Sequence, residues 1–139
     1  MKYPLTALPS LIIPVALYGL AALFGGGHER FAAGLETAAL TVPMPAGVDW
    51  SLSWGELFVL AGLAALFFDL IKATGTGTAT LINHALSIGV FVLCLVVFLL
   101  APPFVTSPFF LLMVMTLLDV VAGFIITIIS SRRDVSYNR

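Results

Sequence analysis

The chain has 139 residues, of which 60% are hydrophobic and only 9% are charged, and its net charge is −1. Soluble domains carry about 25% charged residues, so a surface with so few charges suits lipid rather than water. A net charge near zero provides no basic field for nucleic acid. One cysteine, Cys94, excludes a disulfide within the chain, and with two histidines it leaves too few ligands for a zinc site. We therefore expect an integral membrane protein that has no nucleic-acid partner, metal or other cofactor.

Four apolar runs are long enough to cross a bilayer as helices, which takes about 20 residues each. Pro102 and Pro103 close the third run, and Ser107 before Pro108 is typical of a helix start for the fourth. Pro14, inside the first run, predicts a kink that frees a backbone carbonyl. The expected fold is all-α, a single-domain bundle of four transmembrane helices at residues 4–24, 55–72, 81–101 and 108–131.

The loop at residues 25–54 is the one sizeable segment between the runs. Its first half places Phe31, Leu35 and residues 38–39 at helical spacing, which predicts a short helix lying on the membrane surface. Its second half alternates apolar and polar residues from Val42 to Trp54, which predicts extended chain that turns into a hairpin. We expect this loop to cover one end of the bundle, either as a packing lid or as a partner-binding strand.

Basic residues predict how the bundle is oriented. Arg30 lies alone on one side, where Trp50 and Trp54 also fall and are expected to sit at the outer interface. The other side is therefore cytoplasmic and contains both termini. It carries five basic residues, Lys2, Lys72, Arg132, Arg133 and Arg139.

The fourth run carries a stripe of small and polar residues with Asp119 near its middle. Spacings of three and four residues put the stripe on one helix face, which is expected to contact protein rather than lipid. We call this set the Asp119 stripe; it consists of Thr116, Asp119, Gly123 and Thr127.

A second polar group falls on the second and third runs, towards the predicted cytoplasmic side. Asp69 is three residues before Lys72 and can pair with it, while Lys72 can also bind lipid phosphates. His84 and Ser87 lie at a similar depth, so a contact between His84 and Asp69 is expected. A satisfied polar cluster is the plainer interpretation, and a haem or pigment ligand at His84 is the alternative.

Asp119 is energetically unfavourable at its position in the middle of the fourth run. Placing a carboxylic acid in the centre of a membrane helix costs about 2.5–3.5 kcal/mol, while one interhelical hydrogen bond returns about 0.6 kcal/mol. A partner protein, a proton cycle or a bound ion is therefore expected to favour it. The first hypothesis is a non-enzymatic accessory or scaffold subunit whose Asp119 stripe docks a second copy or another membrane protein. The second hypothesis is a small proton- or cation-coupled transporter that works as a dimer. The third, which we rank last, is a proton-carrying subunit of a rotor ring.

Several segments resemble a group of small four-helix inner-membrane proteins of alphaproteobacteria that have no assigned function. The resemblance rests on V-P-M-P-A-G-V-D-W at 42–50, N-H-A-L-S-I-G-V-F-V at 83–92, D-V-V-A-G-F at 119–124 and S-R-R-D-V at 131–135. It implies a bacterial inner membrane, and it brings no catalytic or binding residues.

Overall fold

The computed structural model describes residues 7–75 and 77–137, with side chains up to Arg132 in the last helix. It contains five α-helices and one two-stranded sheet within those residues. In chain order these are α1 (Ile12–Phe24), α2 (His28–Glu36), β1 (Ala38–Pro43), β2 (Asp49–Ser53), α3 (Trp54–Ala73), α4 (Thr78–Leu100) and α5 (Ser107–Tyr137). A short 3-10 turn, Pro102–Phe104, joins α4 to α5.

Three of the described helices are long and apolar enough to cross a membrane, namely Trp54–Ala73, Thr78–Leu100 and the part of α5 from Ser107 to Arg132. The prediction of a helical membrane protein is confirmed at this level. The predicted spans at 55–72, 81–101 and 108–131 match α3, α4 and α5 within three residues at the bounds, except that α5 continues to Tyr137. It continues because no Gly or Pro interrupts the polar segment after Ser131.

The first helix is shorter than predicted. Helix α1 has 13 residues, which is about 20 Å, against about 30 Å for a bilayer core. Residues 4–6 of the predicted span lie outside the described part of the chain, as does Lys2. The predicted kink at Pro14 is wrong, because Pro14 falls in the first turn, where its missing N–H costs no helical hydrogen bond. The carbonyl of Ser10 accepts a hydrogen bond from the Ile13 N–H at 3.1 Å.

The segment between α1 and α3 forms the predicted helix and hairpin, with a different boundary. Helix α2 ends at Glu36, where the Thr37 hydroxyl donates to the Gly34 carbonyl at 2.7 Å and the Thr37 backbone becomes extended. Residues 38–39 therefore begin β1 instead of continuing the helix. Strand β1 pairs antiparallel with β2, with Val42 opposite Trp50. Gly47, at φ +84°, provides the positive φ that the connecting turn requires.

Helix α5 lies against both α3 and α4 and forms the centre of the bundle. Gly62 of α3 allows α3 and α5 to approach closely, since a Cβ placed there would lie 2.5 Å from Leu112 Cδ2 and 2.7 Å from Met115 Sδ. Gly123 of α5 does the same towards α4, because a Cβ there would lie 2.5 Å from His84 Nδ1. Small residues at such positions let membrane helices approach. They bring the polar side chains of α4 and α5 into one interface.

Helix α2 and the hairpin lie at one end of this bundle. We call it the hairpin end, and the opposite end, where α3 finishes and α4 begins, the Lys72 end. At the hairpin end, the Trp54 N–H donates to the Thr37 carbonyl at 3.1 Å, which ties α3 to the end of α2. A capping box between Ser53 and Glu56 starts α3 at this point. The loop thus contacts one end of the bundle, as the sequence predicted.

Candidate functional site

Asp119 lies inside the chain's own bundle, where α5 faces α4. It is 12 residues after Ser107, about 18 Å along the helix, which is near the middle of a bilayer core of about 30 Å. Its side chain is only 5% exposed. The Ser87 hydroxyl of α4 lies next to the Asp119 carboxyl group. That hydroxyl also lies 3.0 Å from the Asn83 carbonyl of its own helix, so its one proton can serve either the carbonyl or the Asp119 carboxyl group.

Two side chains of α4 near Asp119 have nitrogen atoms that are not satisfied. The Asn83 Nδ2 and the His84 Nε2 are buried, and neither has a hydrogen-bond partner among the residues that the structure describes. The His84 ring packs edge-on against Phe124 at a centroid distance of 4.3 Å and lies over Gly123. His84 therefore faces α5 instead of making the expected contact with Asp69. Buried polar groups without partners are rare, and they often mark a site for water, an ion or a ligand.

The Asp119 stripe is divided between the bundle interior and the surface. Thr116, Asp119 and Gly123 are buried, whereas Thr127 is exposed. Thr116 donates to the Met113 carbonyl of its own helix at 2.6 Å, and the fully buried Cys94 of α4 lies beside it. Helix α4 of the same chain covers three of the four residues, so Asp119 is enclosed and is not accessible to a docking partner.

Asp69 of α3 is fully buried, and its carboxylate is fully occupied. Its two oxygens accept hydrogen bonds from the backbone N–H groups of Ser10 at 2.6 Å and Leu11 at 3.0 Å. These N–H groups belong to the turn that opens α1, and helix starts have N–H groups without helical partners. A negative charge at a helix start is also favourable, because the helix dipole is positive there. Asp69 therefore holds the beginning of α1 against α3.

Lys72 completes this arrangement. Its Nζ lies 3.1 Å from Asp69 Oδ1 and donates to the Leu8 carbonyl at 2.6 Å. The sequence allowed Lys72 to pair with Asp69 or with lipid phosphates, and the structure shows the pair with Asp69. The Asp69 and Lys72 pair binds three backbone groups, those of Leu8, Ser10 and Leu11. His84 and Ser87 face α5 instead. The predicted cytoplasmic-side cluster is therefore two sites with different partners.

Near the hairpin end lies one buried polar side chain whose role the sequence did not predict. Tyr18 of α1 is fully buried, and its hydroxyl donates to the Pro103 carbonyl at 3.0 Å and bonds with the Thr106 hydroxyl. Its ring contacts those of Phe31, Phe58, Phe104 and Phe109. Thr106 also accepts from the Phe109 N–H at 3.4 Å, so it caps α5 in place of the predicted Ser107. In the sequence, only the presence of a tyrosine within an apolar run indicates this buried site.

The two tryptophans of the predicted outer interface are both at the hairpin end. Trp50 lies on β2 and Trp54 opens α3, and they are 46% and 49% exposed. Amphipathic rings at this position are typical of a membrane interface.

Comparison with family models, with curated proteins and with solved structures finds no match for this chain. No group of three or more side chains from His, Cys, Asp and Glu converges as a metal site within the described residues. The arrangement offers one buried carboxyl group near the middle of the bundle, with a hydroxyl group, an imidazole nitrogen and an amide N–H₂ donor leading from it towards the Lys72 end. The carboxyl group can take up and release a proton or a small cation, whereas the amide nitrogen can only donate hydrogen bonds.

Proposed function

We propose that this chain is a small membrane carrier coupled to protons or monovalent cations, with Asp119 as the coupling carboxyl group. The observation that carries the proposal is the enclosed Asp119, 5% exposed, whose neighbouring Ser87 hydroxyl is shared with the Asn83 carbonyl. Ionisable residues inside membrane helices are expensive, and they commonly mark ion or proton pathways. A carboxyl group kept for packing alone would be expected to have several donors of its own, as Asp69 has with two backbone N–H groups and Lys72.

The position of the other unsatisfied groups supports the same function. From Asp119, the polar side chains of α4 continue towards the Lys72 end through Ser87, His84 and Asn83. Ser87 is nine residues from Thr78, about 14 Å along α4. His84 lies on this path and its buried Nε2 has no hydrogen-bond partner among the described residues, so it suits a relay between Asp119 and the solvent at that end. We propose this direction as the entry route.

The accessory-subunit hypothesis requires a different surface. With α4 covering Asp119 and Gly123, a partner could reach this stripe only if α4 moved away. A scaffold role through another face remains a proposal, as does a dimer. Native mass spectrometry of the protein extracted gently from its own membrane separates them. A larger complex containing other chains would favour the accessory role, and a homodimer would favour the carrier.

We also propose that α1 is a fourth span and that both termini are cytoplasmic, in a bacterial inner membrane. Helix α1 begins beside Asp69 near the end of α3 and finishes at Gly25, whose Cα faces the Phe31 ring at the hairpin end. It therefore runs along most of the length of α3. Single cysteine variants Lys2→Cys, Val48→Cys and Ser131→Cys, in a Cys94→Ser background, test the topology, because Lys2 precedes α1 and Val48, 66% exposed, follows it. Labelling of position 48 from the same side of the membrane as position 2 or position 131 would contradict it.

Transport by the purified protein in vesicles tests the proposed activity. A pH-sensitive dye inside the vesicles would report proton movement when a gradient of Na⁺ or K⁺ is imposed. We expect movement with the unaltered protein and the rate of protein-free vesicles with Asp119→Asn. Asp49→Asn is the matched control, because it makes the same chemical change in the exposed hairpin. Equal rates for the unaltered protein and Asp119→Asn would overturn the proposal.

A further inference from the structure

A groove of about 450 Å³ lies between α1, α2 and α3 at the hairpin end. Its walls are almost entirely apolar: Ala21 from α1, Phe31 and Gly34 from α2, and Trp54 and Phe58 from α3. The groove is open to its surroundings, so an apolar chain could enter it. Its volume falls within the range of small-molecule sites, about 300–1,000 Å³.

Among the described residues, Arg30 is the one charged residue that lines this groove. Its side chain lies along the Gly26 backbone, since a Cβ on that glycine would meet Arg30 Cδ at 2.9 Å. Gly26 has φ +78°, so a larger residue there would be both strained and in contact with the arginine. The absence of a side chain at Gly26 thus leaves the guanidinium a place at the groove. No described acidic residue forms an ion pair with Arg30.

We propose that this groove binds a phospholipid, with one acyl chain against the apolar walls and the phosphate on Arg30. The guanidinium presents several N–H donors in a plane and can bind two phosphate oxygens at once. Trp54, 49% exposed beside the groove, is a residue type that favours the headgroup region. A positive group at one point of an otherwise apolar groove matches an anionic headgroup on an apolar chain. The proposal requires a membrane protein and is independent of the function of Asp119.

Two substitutions separate the two halves of the proposed lipid site. Arg30→Gln removes the charge and retains a polar side chain of moderate length. Gly34→Leu fills the groove, and it should fold because no atom lies within 4 Å of a Cβ at this helical position. Each has a matched control. Arg132→Gln removes a cation near the end of α5, and Gly89→Leu adds the same side chain at an exposed glycine of α4 that is equally free of neighbours.

Native mass spectrometry of the full chain in non-ionic detergent, titrated with phosphatidylglycerol, measures the binding. We expect one lipid to bind more tightly than the rest, and Arg30→Gln and Gly34→Leu each to weaken this first binding about tenfold. Both controls should bind like the unaltered protein. Diacylglycerol, which has the chains without the phosphate, and glycerol phosphate, which has the phosphate without the chains, should each bind far less.

Three results would overturn the proposal. The first is equal binding of phosphatidylglycerol by the unaltered protein and both groove variants. The second is equal binding of diacylglycerol, because the phosphate would then not be recognised. The third is a change from dimer to monomer in Gly34→Leu, which would show that a second copy occupies the groove. If Gly34→Leu fails to fold, Gly34→Val narrows the groove by less and answers the same question.

Discussion

Two buried carboxyl groups of this chain have opposite surroundings. Asp69, fully buried, accepts two backbone N–H groups and contacts the Lys72 ammonium group. Asp119, 5% exposed, is next to a Ser87 hydroxyl that also lies within hydrogen-bonding distance of the Asn83 carbonyl. The first region stabilises the fold by connecting α1 to α3. The second contains two buried nitrogen atoms, Asn83 Nδ2 and His84 Nε2, that have no hydrogen-bond partner in the described part of the chain, as expected at a site that binds a ligand. The same residue type therefore has a structural role in one place and a proposed functional role in the other.

The largest expected effect is at Asp69. Asp69→Asn removes the charge and places an amide N–H₂ group opposite a backbone donor, so one of the two hydrogen bonds cannot form. Breaking a buried charged pair from one side costs about 3 kcal/mol. Unfolding in mixed micelles followed by circular dichroism measures the change in free energy. A loss as small as that expected for Asp119→Asn would show that Asp69 does not have the structural role that its contacts indicate.

Gly123 tests whether the Asp119 region depends on packing. Gly123→Ala places a methyl group 2.5 Å from His84 Nδ1, so the imidazole must move. Overpacking of this kind costs about 2 kcal/mol, as measured by the same unfolding experiment. Gly89→Ala is the control, because nothing lies within 4 Å of a Cβ there, and it should be neutral or slightly stabilising. Equal stability of the two variants would show that His84 does not pack closely on α5.

Lys72 should matter less than its partner. Lys72→Gln removes the ammonium group from Asp69 and the hydrogen bond to the Leu8 carbonyl, but the two backbone N–H groups stay in place. The lysine side chain is 24% exposed, so water compensates in part. We expect a loss of about 1 kcal/mol in the free energy of unfolding. A loss equal to that of Asp69→Asn would mean that the ammonium group, rather than the start of α1, is the main partner of the carboxylate.

The smallest effect on stability is expected at Asp119. Asp119→Asn keeps the shape of the side chain and removes no donor from it, so the free energy of unfolding should change by less than about 1 kcal/mol. Transport should nevertheless be lost, as proposed above. A large loss of stability would identify Asp119 as a structural residue like Asp69 and would remove the main reason for the carrier.

The sequence predicted the parts of the fold that local patterns determine. Hydropathy located α3, α4 and α5, and alternation around Gly47 located the hairpin. The role of Asp69 could not be predicted, because its backbone partners Ser10 and Leu11 are 59 and 58 residues away in the chain. The sequence predicted that the helix face with Asp119 contacts protein. It did not predict that α4 of the same chain makes this contact, because the spacing of residues along one helix does not show which helix packs against it.

The most direct test is labelling with a hydrophobic carbodiimide, which modifies protonated carboxyl groups in apolar surroundings. The protein in its membrane would be treated over a range of pH, and the modified residue would be identified by mass spectrometry of its peptides. The carrier proposal predicts labelling of Asp119 that decreases as the pH or the cation concentration rises, while Asp69 stays unlabelled because its oxygens are occupied. Labelling of Asp69 alone, or labelling of Asp119 that responds to neither protons nor cations, would contradict it.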